Sequence, residues 1–168
     1  MENKYDPIFH RVSVRQWLDT PVEAEKTERL LRAAMAAPSS TNQQPWEFYI
    51  VTNKTLLKSL ASCSQYASCL ARAQQAIVPV WRRKCRLPEF APIDLSIAME
   101  HIWLEADALG LGGVWLLLAP YEERMKKAED ILSLPNDVRA FAVFPYGYPK
   151  MERAQQERYD KARVHFIS

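Results

Sequence analysis

The sequence predicts a layered fold in which helices cover a β-sheet, α+β or α/β in class. Stretches patterned as helix and as strand are interleaved along the chain, the order expected of a mixed layer structure. A chain of 168 residues that is 48% apolar and 25% charged can build one core of its own. No repeat, low-complexity run or Pro/Gly/Ser-rich linker divides it, so residues 1–168 read as a single domain.

The first strong helix signal is Thr20-Pro21-Val22-Glu23. Threonine can cap, proline suits the first helical position, and glutamate three residues on completes a capping box. The helix is expected to run to about Ala37, with Leu30, Leu31, Ala34 and Met35 on its apolar face and Pro38 as its stop. Aromatic and β-branched residues over 46–52 predict a buried strand, followed by a helix around 56–64. Residues 76–81 predict another strand, near an edge or a bulge because Pro79 lacks a ladder donor.

A loop carrying Arg82-Arg83-Lys84-Cys85-Arg86 comes next. The helix expected over 93–109 is apolar around most of its circumference and so needs burial on several sides, with a second subunit as the extra cover. Gly110 supplies a left-handed stop. Strands are expected over 113–118 and 138–146, with a helix over 121–132 between them. The tail from Lys150 is polar, but Val164 and Phe166 near its end predict that it docks.

The formal charge of +2, from 22 basic and 20 acidic side chains, disfavours nucleic acid or an anionic membrane as partner. Met1-Glu2-Asn3-Lys4-Tyr5-Asp6 lacks the apolar centre of a secretory signal. No apolar run approaches the ~20 residues that cross a bilayer, so a cytoplasmic protein is expected. Cys63, Cys69 and Cys85 match no disulfide or zinc spacing, and His10, His101 and His165 form no ligand cluster. Free thiols and no metal site are expected.

Four segments are candidates for chemistry. In an extended Arg11-Val12-Ser13-Val14-Arg15, alternate residues project together, which turns two guanidiniums and a hydroxyl toward one point and suits a phosphate monoester. The bland alternative is a solvated basic edge. The turn Pro38-Ser39-Ser40-Thr41-Asn42-Gln43-Gln44-Pro45-Trp46 is rich in short polar groups that either line a ligand or bond their own backbone. Gly110-Leu111-Gly112-Gly113 follows a helix and precedes a strand, the reverse of a dinucleotide loop, so close packing or a flat ligand explains it better. Near the end stands Arg158-Tyr159-Asp160-Lys161-Ala162-Arg163.

Taken in this order, the segments resemble the FMN-dependent nitroreductase family over nearly the whole chain. The resemblance rests on Arg-x-Ser-x-Arg at 11–15, Ala-Pro-Ser-Ser-x-Asn-x-Gln-Pro-Trp at 37–46, Ala-Leu-Gly-Leu-Gly at 108–112, Gly-Tyr-Pro at 147–149 and Arg-Val-His at 163–165. It implies an α+β fold with a central, mostly antiparallel sheet covered by helices, and a long central helix at a homodimer interface. It also implies that Arg11, Ser13 and Arg15 hold the FMN phosphate, joined by Lys161 and Arg163 from the tail. Pro38, Ser39, Ser40 and Asn42 would reach the flavin from the other subunit. Trp115, Leu116 and Leu117 would face the isoalloxazine, with the Leu117 N–H toward N5, and Gln65 is a weaker candidate for the pyrimidine edge.

The activity implied is ping-pong transfer from NADH or NADPH to a small nitroaromatic or quinone-like acceptor, with no catalytic side chain required. A flavin carrier or sensor without turnover, or a specialised flavin redox enzyme of the same architecture, is the alternative. Trp115-Leu116-Leu117-Leu118 stands where a branch of the family has Pro-Ile-Glu-Gly, so the acidic side chain beside the flavin is missing. His101 replaces a common asparagine and reads as a satisfied core histidine rather than an acid. The 82–86 run either faces water or attracts the phosphates of the reduced dinucleotide, favouring the 2′-phosphorylated form if it lies near the flavin.

Overall fold

The structure, a computed structural model, describes residues 6–151, 154 and 157–167. Its elements are α1 (Pro7–His10), α2 (Ala24–Met35), β1 (Trp46–Val51), α3 (Lys54–Leu60), β2 (Gln75–Arg82) and α4 (Ala91–Ala108). They continue as β3 (Gly112–Gly113), β4 (Leu116–Leu117), α5 (Glu122–Leu132), β5 (Val138–Ala140) and β6 (Ala142–Gly147). The sheet runs β1-β2-β6-β3, with β4 on β6 and β5 on β2. Every one of these pairings is antiparallel, which makes the class α+β.

β1 pairs with β2 from Trp46 opposite Trp81 to Val51 opposite Ala76. β2 therefore does not lie at an edge, because β5 and β6 flank its other side. The Pro79 carbonyl accepts from the Phe141 N–H at 3.0 Å. A strand residue points its N and its carbonyl to the same side, so the missing donor falls at Phe141, the joint between β5 and β6. The irregularity that Pro79 signals is in the ladder, and the expected 138–146 strand breaks there into two.

α2 begins at Ala24, and the capping box expected at Thr20 does not form. The Glu23 carboxylate is occupied by the Tyr148 hydroxyl, which donates to its two oxygens at 2.9 and 2.7 Å. That bond holds Glu23 below the usual carboxylate range. Leu30 and Ala34 enter the core, but Met35 is 54% exposed and leaves the expected apolar face. Asn53, unremarked in the sequence, caps α3 by accepting from the N–H groups of Thr55 and Leu56.

α4 packs along α2 and buries Leu95, Ala98, Met99, Ile102 and Ala106. Gly110, at φ +72°, ends it as expected, and the Leu111 N–H returns to the Ala106 carbonyl at 2.8 Å. His101 spends Nδ1 on the Ala33 carbonyl at 3.1 Å, which ties α4 to α2 as a satisfied histidine would. Tyr146 is fully buried with its hydroxyl on Thr27, and burial pushes its pKa up to about 12. The expected strand over 113–118 survives only as the two short pieces β3 and β4, on either side of Trp115.

The end of the tail is not docked on its own chain, since Val164 is 42% and Phe166 93% exposed. Its bonds are local: Asp160 accepts from the Ala162 N–H at 3.0 Å and pairs with Arg163 at 3.1 Å, which shapes a turn but buries nothing. Among the described residues, no helix is long and apolar enough to cross a membrane, and no acidic, His or Cys cluster could hold a metal ion.

Close packing explains the glycines of β3. A Cβ on Gly112 would lie 2.5 Å from Val14 Cγ2, and one on Gly113 would lie inside the Phe144 ring contact distance, 2.8 Å from Cε1 and Cε2. Phe144 stacks on Tyr146 and meets Trp103 edge-on, each at 6.0 Å, so it has nowhere to retreat. Gly113→Ala is expected to cost about 2–3 kcal/mol by overpacking. Urea unfolding measures it, and a midpoint equal to that of the parent would contradict the steric account.

Candidate cofactor site

The segment before α2 is extended, and the Val14 N–H donates to the Gly113 carbonyl at 2.9 Å. Val14 enters the core, and the alternation turns Arg11, Ser13 and Arg15 the other way. These three line a cavity of about 420 Å³ together with Val12, Trp103, Ala154 and Arg158. Among the described residues, its wall holds three guanidiniums and a hydroxyl and no carboxylate. Arg11 is held in place from behind: its guanidinium lies 4.0 Å from the centre of the Trp103 ring, and its Nε is 3.4 Å from Glu100 Oε1. Arg11 Nε and Trp103 Nε1 are buried donors without a hydrogen-bond acceptor among the described residues, a condition that native structures seldom leave unmet. The cradle therefore fits a phosphate monoester.

The 38–44 turn is a strained loop fastened to α4. Thr41, Asn42 and Gln44 have φ of 53°, 55° and 44°, a region that a β-branched residue enters only under constraint. The constraint is Asp94, 1% exposed. Its Oδ1 accepts from the Ser40 N–H at 2.8 Å and the Ser40 hydroxyl at 3.1 Å, and its Oδ2 accepts from Gln43 Nε2 at 2.7 Å. Ser39 and Asn42 behave as an ordinary turn would: Ser39 Oγ accepts from the Gln44 N–H, and Asn42 Oδ1 from Gln44 Nε2. Pro38 is exposed.

Trp115 is half-buried, its ring 5.6 Å from that of Phe141, and its Nε1 is a third buried donor without an acceptor among the described residues. Leu116 is buried and Leu117 is 48% exposed, both on β4 against Val143 and Ala142 of β6. Gln65 is exposed, between the short turns Ala61–Cys63 and Ser68–Arg72. The second of these turns lies beside Arg15. Burial pushes the Cys69 thiol up, and the Arg15 charge opposes that rise.

Lys161 and Arg163 do not belong to the wall of the cradle within one chain; Arg158, from the same tail string, does. Sequence reasoning flagged that string but passed over Arg158 as a ligand, and it missed Trp103, Gln43 and Asp94. A lone acidic residue in the apolar first turns of α4 was the available signal for Asp94.

The Nitroreductase family model matches residues 8–78 and 64–148. The chain belongs to the nitroreductase family. An Archaeoglobus fulgidus relative, provisionally named NADH dehydrogenase/NAD(P)H nitroreductase, is 36% identical over 98% of each chain. A Clostridium acetobutylicum structure, provisionally named an NADH oxidase, superposes with a TM-score of 0.93 at 40% identity, covering 97% of this chain and 99% of its own. An FMN-dependent nitroreductase from Clostridium difficile gives 0.89 at 29% identity, covering 96% and 98%. The nitroreductase fold thus extends over nearly the whole chain, and the extended segment, the strained loop and the glycine corner fall within the matched residues.

Proposed function

We propose that this nitroreductase-family chain forms one FMN-binding domain, pairs as a homodimer, and passes electrons from NADH or NADPH to small electron-poor acceptors such as nitroaromatics and quinones. The observation that carries this reading is the cradle of Arg11, Ser13, Arg15 and Arg158. A phosphate dianion is costly to desolvate, and charge-assisted bonds from guanidinium forks offset that cost. Bound FMN would supply the hydride chemistry, which is the cofactor's own.

The protein's residues bind and orient. Arg11, Ser13 and Arg15 grip the phosphate. Trp115, Leu116 and Leu117 border the ring, and the Leu117 N–H is the donor we assign to N5. Gln65 is assigned to the pyrimidine edge. The partner subunit's Pro38, Ser39, Ser40 and Asn42 close the site over the ribityl chain and ring, so each site needs both chains. Lys161 and Arg163 add charge at the phosphate once the tail is ordered against a second copy. Exposed Phe9, Met35, Ile93 and Phe166 supply apolar surface that a dimer would bury. Donor and acceptor use the site in turn, a ping-pong order.

Anaerobic titration tests the reading. Yellow protein of dimeric mass, with one FMN per chain, should bleach with NADH or NADPH and regain its colour with a nitroaromatic. An oxidised spectrum that neither nucleotide alters overturns the oxidoreductase reading and leaves a flavin carrier. A colourless monomer indifferent to added FMN overturns the cofactor reading as well.

A further inference from the structure

The basic run that begins at the last residue of β2 contains three cations without a side-chain partner among the described residues. Arg82, the first of the run, is occupied: its guanidinium donates to the Gln44 and Trp46 carbonyls at 2.6 and 3.3 Å and lies 3.8 Å from Glu47. Arg83, Lys84 and Arg86 are exposed. None of them makes a side-chain hydrogen bond or ion pair with a described residue. The acidic groups around them are Glu47, held by Arg82, Glu89 on the turn that follows, and Asp137, whose carbonyl accepts from the Arg83 N–H at 2.7 Å.

The position of this loop is set by its two ends. Arg82 clamps one end onto Gln44 and Trp46. At the other end, the Gln43 carboxamide and the Leu87 backbone bond reciprocally, at 3.1 and 2.8 Å. Gln43 also reaches Asp94, which holds Ser40. The basic loop and the 38–44 turn are therefore tied together at both ends of the loop. Three unpaired cations beside the segment assigned to the flavin are placed to receive an anion at the far end of whatever delivers electrons there.

We infer that Arg83, Lys84 and Arg86 form a subsite for the 2′-phosphate of NADPH, making it the preferred donor over NADH. The inference rests on the proposed function, because only that reading brings a dinucleotide to this unit. The two donors are alike except for one phosphate monoester on the adenosine ribose. Guanidinium forks recognise such a group bidentately and an ammonium adds charge, whereas the uncharged hydroxyl of NADH gains little from them.

The test uses FMN-loaded protein titrated calorimetrically with adenosine 2′,5′-bisphosphate and with 5′-AMP, which read the subsite without turnover. Parent protein should bind the bisphosphate at least tenfold more tightly. Arg83→Ala/Lys84→Ala/Arg86→Ala should abolish that preference and raise KM for NADPH about tenfold, with far less change in KM for NADH and with FMN content retained. Equal binding of the two probes by the parent, or a preference that survives in the triple variant, overturns the inference and leaves the oxidoreductase reading intact. A parent flavin that neither nucleotide bleaches overturns both.

Discussion

Replacing Arg11 and Arg15 together by alanine is expected to weaken FMN binding roughly 100- to 20,000-fold, from about 1.5–3 kcal/mol for each charged hydrogen bond and tenfold per 1.4 kcal/mol. Arg15 is the cleaner of the two positions because its side chain is exposed and takes no part in the core. Arg11 also leans on Trp103 and Glu100, but Glu100 is 43% exposed, so water can replace the lost ion pair. Arg15→Lys keeps the charge and loses the fork, so it should fall between the parent and Arg15→Ala. Fluorescence titration with FMN and with riboflavin separates phosphate recognition from ring recognition. Affinity for riboflavin, which has no phosphate, should change little. Equal losses for the two ligands would mean that the cradle is structural and does not grip a phosphate.

The cradle was legible in the sequence because it depends on a short-range rule. Side chains two apart in an extended segment share a face, and the Arg11, Ser13, Arg15 spacing needs nothing else. The end of α4 was legible for a similar reason, since Gly110 supplies the left-handed residue that its own φ of +72° requires. The failures share the opposite cause. Thr20 and Glu23 have the letters of a capping box, but the Glu23 carboxylate is taken by Tyr148, 125 residues away. Pro79 reads locally as an edge residue, yet its missing donor is absorbed by a joint at Phe141 that only the assembled sheet reveals. Val164 and Phe166 announce burial without saying on which chain, and their own chain does not bury them. Arg158 rather than Lys161 or Arg163 joins the cradle within one chain, because nothing in the local pattern of the string says which of its cations turns toward the cavity.

Asp94 sits where these long-range dependencies meet, and Asp94→Ala is expected to destabilise the protein by about 3 kcal/mol or more, since each buried donor left without its acceptor costs about 1–3 kcal/mol. Three donors from Ser40 and Gln43 would lose their acceptor, and the left-handed conformations of Thr41, Asn42 and Gln44 would lose the anchor that sustains them. Asp94→Asn should recover only part of the loss. The Gln43 carboxamide cannot turn over to suit an amide, because its Oε1 accepts from the Leu87 N–H while its Nε2 donates to the Leu87 carbonyl. One oxygen of asparagine can still serve Ser40, but its NH₂ then meets the Gln43 NH₂, donor against donor. Chemical denaturation should therefore rank parent, Asp94→Asn and Asp94→Ala in that order, with proteolytic cleavage within 38–45 rising in the reverse order. Because the same carboxylate steadies the turn assigned to the flavin and, through Gln43, the 83–86 loop, Asp94→Asn should also raise KM for NADPH in protein that remains folded. Asparagine and alanine variants of equal stability, with the turn still resistant to protease, would show that the turn holds its strained shape without this carboxylate.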